Sequence, residues 1–397
     1  MISVLISLPL LVIGIESCIA LVKSYRKELK VDIQELDDSV SVAILIPAHN
    51  EEIGIAETLR NLTEQVELGA RIVVIADNCK DKTAEIARSF DVEVIERQHE
   101  TNRGKGFALD FGIQYLNDNT SPDVLIIMDA DCIAENSALK KLTLRVLATN
   151  RPAQALYLMR IDKNASVKRR VAGFAWMVKN KIRLLALDTL GLPVTLTGTG
   201  MAFPWKVIGA VNLDHDNIVE DMLLGIDCTI KGFPPVFCQE AEVFSEFPEQ
   251  ESAINSQRTR WEHGHLMIIF RQVPRLLRFG IARRDLKLLG MALDIAVPPL
   301  AFLVICTVTG LFLLFIYGWL MNQYLAFGVL FSVYCFFMVS LFGIWWREGR
   351  EYLNFSDLIS IPGYIISKLS IYLMFIFHRQ KEWVRTDRGG LSSSKEN

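Results

Sequence analysis

Val124-Leu125-Ile126-Ile127-Met128-Asp129-Ala130-Asp131 is the stretch whose reading decides the fold. Its first five residues are apolar with no polar alternate, so neither face of the strand they form meets water. A strand buried on both faces belongs to a parallel sheet covered by helices. Two carboxylates stand one residue apart where the run stops. Upstream the same unit repeats. Residues 42–46 are a short β-type run ended by Pro47-Ala48-His49-Asn50-Glu51-Glu52, with a helical pattern over 54–66 behind it. Residues 71–75 end in Ala76-Asp77-Asn78 before a helix over 82–90, and 92–95 form a third strand before a helix over 105–116. Strands alternating with helices predict an α/β fold with a doubly wound, mostly parallel, Rossmann-like sheet. Ligands of such sheets bind beyond the carboxyl ends of the strands. The clusters at 49–51, 77–78 and 129–131 are therefore expected to line one crevice.

The rest of the chain is of a different kind. Of 397 residues 51% are hydrophobic, and mean hydropathy is +0.28. That is too apolar for a wholly soluble protein and too polar for a transporter built only of membrane helices. A formal net charge of −3 hides local asymmetry, and no nucleic-acid partner is expected. Seven cysteines, odd in number and without a Cys-x-x-Cys pair, exclude a disulfide framework and a zinc cluster. They point to a reducing compartment.

Residues 1–22 are apolar except for Glu16 and long enough to span a bilayer. With Lys23, Arg26, Lys27 and Lys30 following, they are expected to be an uncleaved anchor that leaves the next domain in the cytosol. Residues 295–346 contain no charge and suit a hairpin of two membrane helices joined near Gly318–Gln323. Residues 258–287 interleave Arg258, Arg260, Arg271, Arg275, Arg278, Arg283, Arg284 and Lys287 with apolar residues, as helices on an anionic leaflet do. Six segments result: an anchor (1–22), a cytosolic catalytic domain (40–257), an interfacial segment (258–290), a membrane hairpin (291–346), a further membrane or re-entrant helix (357–378) and a basic tail (379–397). The expected location is the plasma membrane, crossed several times, with the catalytic domain cytoplasmic. Whether 357–378 spans is open. Glu16 and Asp294 are expected to snorkel from helix ends, whereas Lys368 admits that reading and a functional one equally.

Asp129 and Asp131 on an extended turn can both face one hard cation, and Mg²⁺ or Mn²⁺ takes oxygen ligands of this kind. Asp77 suits a hydrogen bond from a base N–H, or an Asx turn. Arg103-Gly104-Lys105-Gly106 opens a helix whose N-terminus and Lys105 suit a phosphate. Glu220-Asp221, behind Asp214-His215-Asp216, either caps a helix or supplies a base for an acceptor hydroxyl, and the residues alone leave both open. Gln257-Arg258-Thr259-Arg260-Trp261 joins an amide, guanidinium groups and an indole on which a sugar can stack, or is one more amphipathic turn.

Taken in order, Asp77, Asp129-x-Asp131, Glu220-Asp221 and Gln257-x-x-Arg260-Trp261 resemble the membrane-bound family 2 inverting glycosyltransferases, cellulose and hyaluronan synthases among them. The resemblance covers roughly residues 40–270. It implies a GT-A-type domain that moves a sugar from a nucleotide-diphosphate sugar, a UDP-sugar first, to a glycan or lipid-linked acceptor. By it Pro47, His49, Glu51, Asp77, Lys105, Asp129, Ala130 and Asp131 would bind the donor. Asp129 and Asp131 would hold the metal, and Asp221 with Glu220 would be catalytic. Gly198-Thr199-Gly200, with Gln257, Arg260 and Trp261, would face the acceptor or the leaving diphosphate. Val219 replaces the usual Thr, and Asn78 stands where a second Asp is common. A gating loop has no clear counterpart, and the hydrophobic segments are few for a polysaccharide channel. Three readings follow: single transfer at the cytoplasmic membrane face for envelope, exopolysaccharide or glycolipid synthesis; processive synthesis with export; and an inactive glycan-binding scaffold. Membrane lipids are expected partners, and an oligomer is compatible with the sequence.

Overall fold

A computed structural model describes residues 2–25, 37, 39–65, 70–162, 164–211, 219–248 and 251–377. Arg26, Lys27, Lys30, the 214–216 run and the tail 379–397 lie outside the described residues. The strands are β1 (Val42–Ala48), β2 (Arg71–Asp77), β3 (Glu93–Arg97), β4 (Val124–Ile127), β5 (Ile133–Ala134), β6 (Ala153–Arg160), β7 (Met201–Pro204) and β8 (Val236–Glu246). The helices begin with α1 (Ile2–Tyr25), α2 (Ile55–Thr63), α3 (Thr83–Arg88), α4 (Lys105–Asn119), α5 (Ala138–Thr149), α6 (Val167–Met177), α7 (Leu184–Thr189) and α8 (Trp205–Ile208). They continue with α9 (Glu220–Ile230), α10 (Glu251–Arg283), α11 (Leu286–Ile295), α12 (Leu300–Met321), α13 (Leu325–Arg347), α14 (Ile361–Ser367) and α15 (Leu369–Phe377).

The chain divides into two compact units. One holds the eight-stranded sheet, in the order β3-β2-β1-β4-β7-β6-β8-β5. The half that the sequence outlines is parallel: β1 lies between β2 and β4, and Leu45 aligns with Val73 on one side and Ile127 on the other. Leu45, Val73, Ile75, Leu125 and Ile127 are fully buried, each contributing about 1.5–3 kcal/mol through removal from water. Gly112 brings α4 against this face, since a Cβ there would stand 2.6 Å from Ile75 Cδ1. The other half is mixed. β7 runs antiparallel to both β4 and β6, whereas β8 runs parallel to β6 with an irregularity after Ala155.

The other unit is helical. Leu10 and Ile13 of α1 pack with Leu303 of α12 and with Leu330 and Phe337 of α13 in one apolar cluster. Among the described residues four stretches are long and apolar enough to cross a membrane: Ser3–Lys23, Leu300–Met321, Leu325–Arg347 and Phe355–Phe375. The fourth is interrupted. A 3₁₀ turn (Phe355–Ser360) leads into α14, which carries Pro362 near its start, and Lys368 stands at the break before α15. Gln257, Arg260 and Trp261 stand on α10, a helix of 33 residues.

The snorkelling expectation for Glu16 and Asp294 is corrected. Both carboxylates are buried on Arg183, at the end of a π-helical turn (Val178–Arg183). Arg183 Nε donates to Glu16 Oε2 at 2.7 Å, and Nη2 donates to Asp294 O at 2.9 Å and to the Asp294 carboxylate. A guanidinium with five donors serves two acids at once, so neither has to reach water. Lys368 is half-buried and paired with the buried Glu262 of α10.

Candidate active site

β1, β2 and β4 each end in the polar cluster that the sequence marks. Past β1 the chain turns through Asn50, at φ 54°. His49 Nδ1 donates to Asp77 O at 2.6 Å, tying the ends of β1 and β2 together. Lys80 N donates to Asn50 Oδ1 at 2.7 Å, and Glu51 N donates to Thr83 Oγ1 at 2.8 Å. Pro47 is still strand, aligned with Ile75. Asp77 is buried, and Arg97 Nη1 donates to its Oδ1 at 2.7 Å, as Asn78 Nδ2 does at 2.9 Å. Arg97 is absent from the sequence reading: it closes β3, and only the parallel register of β2 with β3 puts it opposite Asp77.

Asp129 and Asp131 follow β4, half-buried, on either side of the buried Ala130, whose carbonyl accepts from Thr58 Oγ1 at 2.9 Å. The Lys105 ammonium pairs with the Asp129 carboxylate and donates to Gly198 O at 2.6 Å. Asp129 N donates to Thr199 Oγ1 at 3.0 Å. Ser245 Oγ donates to Asp131 Oδ2 at 3.3 Å. Asp221 reaches the same place from the first turn of α9, because a Cβ on Gly198 would stand 3.3 Å from Asp221 Oδ2 and 3.6 Å from Lys105 Nζ. Gly198, at φ 93°, supplies the open backbone that this approach needs. The strand ends, Lys105, the 198–200 loop and Asp221 are thus brought together. Glu220-Asp221 opens a helix and also lines the cluster.

The electrostatics follow from this crowding. Burial by itself pushes the Lys105 ammonium down, but Asp129, Glu220 and Asp221 outweigh it and the net direction is up. Glu220 is pushed up to about 7, by burial first and then by the Asp221 charge, with Lys105 pulling the other way. Asp129, Asp131 and Cys132 offer one atom each within 4.8 Å of one another. Burial holds the Cys132 thiol well above the usual range, which disfavours it as a thiolate ligand next to the two carboxylates. Two half-buried carboxylates remain, a hard-oxygen donor set that fits Mg²⁺ or Mn²⁺ and not a thiophilic ion.

Gln154 is a second residue that the sequence reading missed. It is fully buried on β6 and, among the described residues, bonds to backbone only, at Thr197, Thr199, Ala155 and, at 3.5 Å, Gly200. The one signal for it is a polar residue inside an apolar run, Ala153-Gln154-Ala155-Leu156. On α10, Gln257 is buried with its Oε1 lacking a hydrogen-bond partner among the described residues, Arg260 and Trp261 are half-buried, and Arg258 lies over the Phe247 ring at 5.7 Å.

Residues 40–264 match the family model described as "Glycosyltransferase like family 2". A probable glycosyltransferase of Bacillus subtilis, YdaM, is 25% identical over 254 residues, which are 60% of this chain and 58% of that protein. Poly-beta-1,6-N-acetyl-D-glucosamine synthase of Staphylococcus aureus is 23% identical over 253 residues, 62% of this chain and 59% of that protein. The chain thus spans less than two thirds of the length of these curated relatives. Among solved structures, a mannosyltransferase from Pyrobaculum calidifontis in complex with GDP-Man and Mn²⁺ superposes with a TM-score of 0.55. It covers 96% of this chain and all of that one, at 12% identity, a likeness of fold alone. The α/β sheet is of the GT-A type that the sequence implies.

Proposed function

We propose, from the premise that this chain belongs to glycosyltransferase family 2, that it transfers a sugar with inversion from a nucleotide-diphosphate sugar to a hydroxyl of a lipid-linked or growing glycan acceptor. The observation that carries this reading is the Gly198 junction. There Asp221 Oδ2 lies 3.3 Å from the place a Cβ on Gly198 would take, and the carbonyl of that glycine holds Lys105, itself paired with Asp129. One side offers charge for a leaving diphosphate and the other a base for an attacking hydroxyl. Single displacement needs these two on opposite sides of one anomeric carbon.

In this reading Asp221 takes the proton of the acceptor hydroxyl as its oxygen attacks the anomeric carbon, and the bond to the diphosphate breaks. Asp129 and Asp131 are the residues that would hold Mg²⁺ or Mn²⁺, which when bound supplies charge neutralisation for the diphosphate. Lys105 contributes a fixed positive charge beside Asp129. Asp77, with His49, Pro47 and Glu51, lines the nucleoside end, and Gln257, Arg260 and Trp261 serve the acceptor. The four apolar stretches suit a multi-pass protein with the catalytic domain on the cytoplasmic side of the plasma membrane, where membrane lipids and a lipid-borne acceptor meet it. The likeness to a polysaccharide synthase keeps processive synthesis as a second reading, and product length separates the two: one addition against a ladder.

The test is nucleotide release by the detergent-purified full chain from UDP-, GDP- and TDP-sugars with Mn²⁺ or Mg²⁺. Release from at least one donor, abolished by EDTA, is expected. No release from any donor, with Mn²⁺ and native lipid extract present, would overturn the reading in favour of a glycan-binding scaffold.

A further inference from the structure

Gln154 stands where the ladder between β6 and β7 stops. Gln154 aligns with Met201, and Ala155 N still donates to Gly200 O at 2.8 Å. Beyond that the backbone leaves the strand direction, with positive φ at Gly200 (61°) and Gly198 (93°). The turn strands two backbone groups that a continuing strand would have paired, Thr197 N and Thr199 O. The Gln154 side chain, an amide with the same donor and acceptor as a peptide unit, takes both. Its Oε1 accepts from Thr197 N at 2.9 Å, and its Nε2 donates to Thr199 O at 3.0 Å. The second Nε2 proton goes to Ala155 O at 3.0 Å. Both protons of the amide and one lone pair of its oxygen are therefore used, and it serves as a short piece of β-ladder, buried where water cannot substitute for it.

The loop so held adjoins Lys105, Asp129 and Asp221. Gly198 O accepts from Lys105, Thr199 Oγ1 accepts from Asp129 N, and Gly198 faces the Asp221 carboxylate. We propose that Gln154 is a positioning residue for transfer, whose amide fixes the Thr197–Gly200 loop and so sets the spacing between Asp129 and Asp221. The role in transfer rests on the reading of those two carboxylates given above, whereas the clamp itself stands apart from it. A displaced loop moves both partners of the reaction relative to each other, and a misplacement of about 1 Å costs about 100-fold in rate. Donor affinity, drawn from the ends of β1 and β2 as well, is affected little.

The experiment is Gln154→Met, equal in length and without hydrogen bonds, in the detergent-purified full chain. Hydrogen exchange at the Thr197 and Asp129 amides is expected to speed up by about 10-fold or more, while the amides of β1 and β4 keep their protection. With the sugar nucleotide that the wild type turns over, kcat falls by about 100-fold and the donor KM moves by less than about 3-fold. Val73→Ala, a core change in β2, serves as the control: it lowers Tm but leaves kcat per folded molecule near the wild type. Should Gln154→Met fail to fold, Gln154→Glu keeps the acceptor for Thr197 N and loses the donor to Thr199 O, and the same fall in kcat is expected from it. Unchanged exchange at Thr197 and Asp129, or a kcat loss that Val73→Ala matches at equal Tm, overturns the proposal. A wild type inert toward every donor would sink the transfer reading, while exchange still decides whether the clamp exists.

Discussion

Two cation-centred acid clusters, one in each unit, use the same residue types to different ends. Lys105 meets Asp129, with Glu220 and Asp221 close by, and Arg183 meets Glu16 and Asp294. In the first pair the side chains are 20% and 31% exposed, and the glycine beside them leaves room. In the second the three side chains are 11% exposed or less. Charge in the first is partly open to solvent, whereas charge in the second is consumed by packing helices against each other. A buried pair of acids on one Arg contributes register and a large penalty for breaking it, and little net stability when intact. The difference teaches that an acid among apolar residues is a candidate for chemistry only where something besides its own cation can reach it.

Asp221→Asn is the largest expected effect. It keeps the shape and the loop contact but removes the base, so turnover falls by about 10²–10⁴-fold with Tm nearly unchanged. Near-normal turnover in a folded Asp221→Asn protein would erase the functional half of the comparison. Arg183→Met comes next and acts on the other half. It leaves two buried carboxylates without their cation, at a cost of about 3–5 kcal/mol read by thermal unfolding, while activity per folded molecule persists. The triple change Glu16→Gln, Arg183→Met, Asp294→Asn is expected to recover much of that loss. Lys105→Met sharpens the contrast: its paired Asp129 is 31% exposed, so the stability cost is smaller than for Arg183→Met and the loss falls on donor turnover. Equal destabilisation by both would break the distinction between the clusters.

The sequence discloses these regions unequally. The parallel strands are legible because each is a continuous apolar run with a polar end, and the same local pattern marks Asp77 and Asp129-Ala130-Asp131. Asp221 is legible as an acid at a helix start, though not its approach to Gly198. β7 has four residues and β6 carries Gln154, so neither shows a clean period, and their pairing depends on distant partners. Arg97 faces Asp77 only through strand register. Glu16 and Asp294 lie 167 and 111 residues from Arg183, and nothing local to either acid reports such a partner.

Gly198→Ala tests the open side of the first cluster. A non-glycine residue at φ 93° carries a strain of about 1–3 kcal/mol, and its Cβ meets Asp221 Oδ2 at 3.3 Å. Gly191, at φ 68° with nothing within 4 Å of a Cβ, is the matched control for backbone strain alone. Gly198→Ala is expected to lower both Tm and kcat, and Gly191→Ala only Tm. Equal kcat for the two variants would mean that the space at Gly198 is not used in transfer.

The smallest effect concerns Glu220, where the crowding of the open cluster has a thermodynamic sign. Its carboxyl is pushed up to about 7 in the folded chain from an ordinary 4.5, by burial first and then by Asp221. The folded form therefore holds a proton that the unfolded chain releases between pH 4.5 and 7. Stability that depends on this proton is full below about 4.5, is lost as pH rises through the window, and is level above about 7. Glu220→Gln removes the titration while keeping the volume, so its Tm is expected to stay flat where the wild type declines by a few degrees, about 2–6 °C. The comparison is made as a difference between the two proteins at each pH, which cancels acids common to both. A Tm difference that grows toward low pH in favour of Glu220→Gln would reverse the sign and show that Lys105 outweighs both burial and Asp221 at this carboxyl.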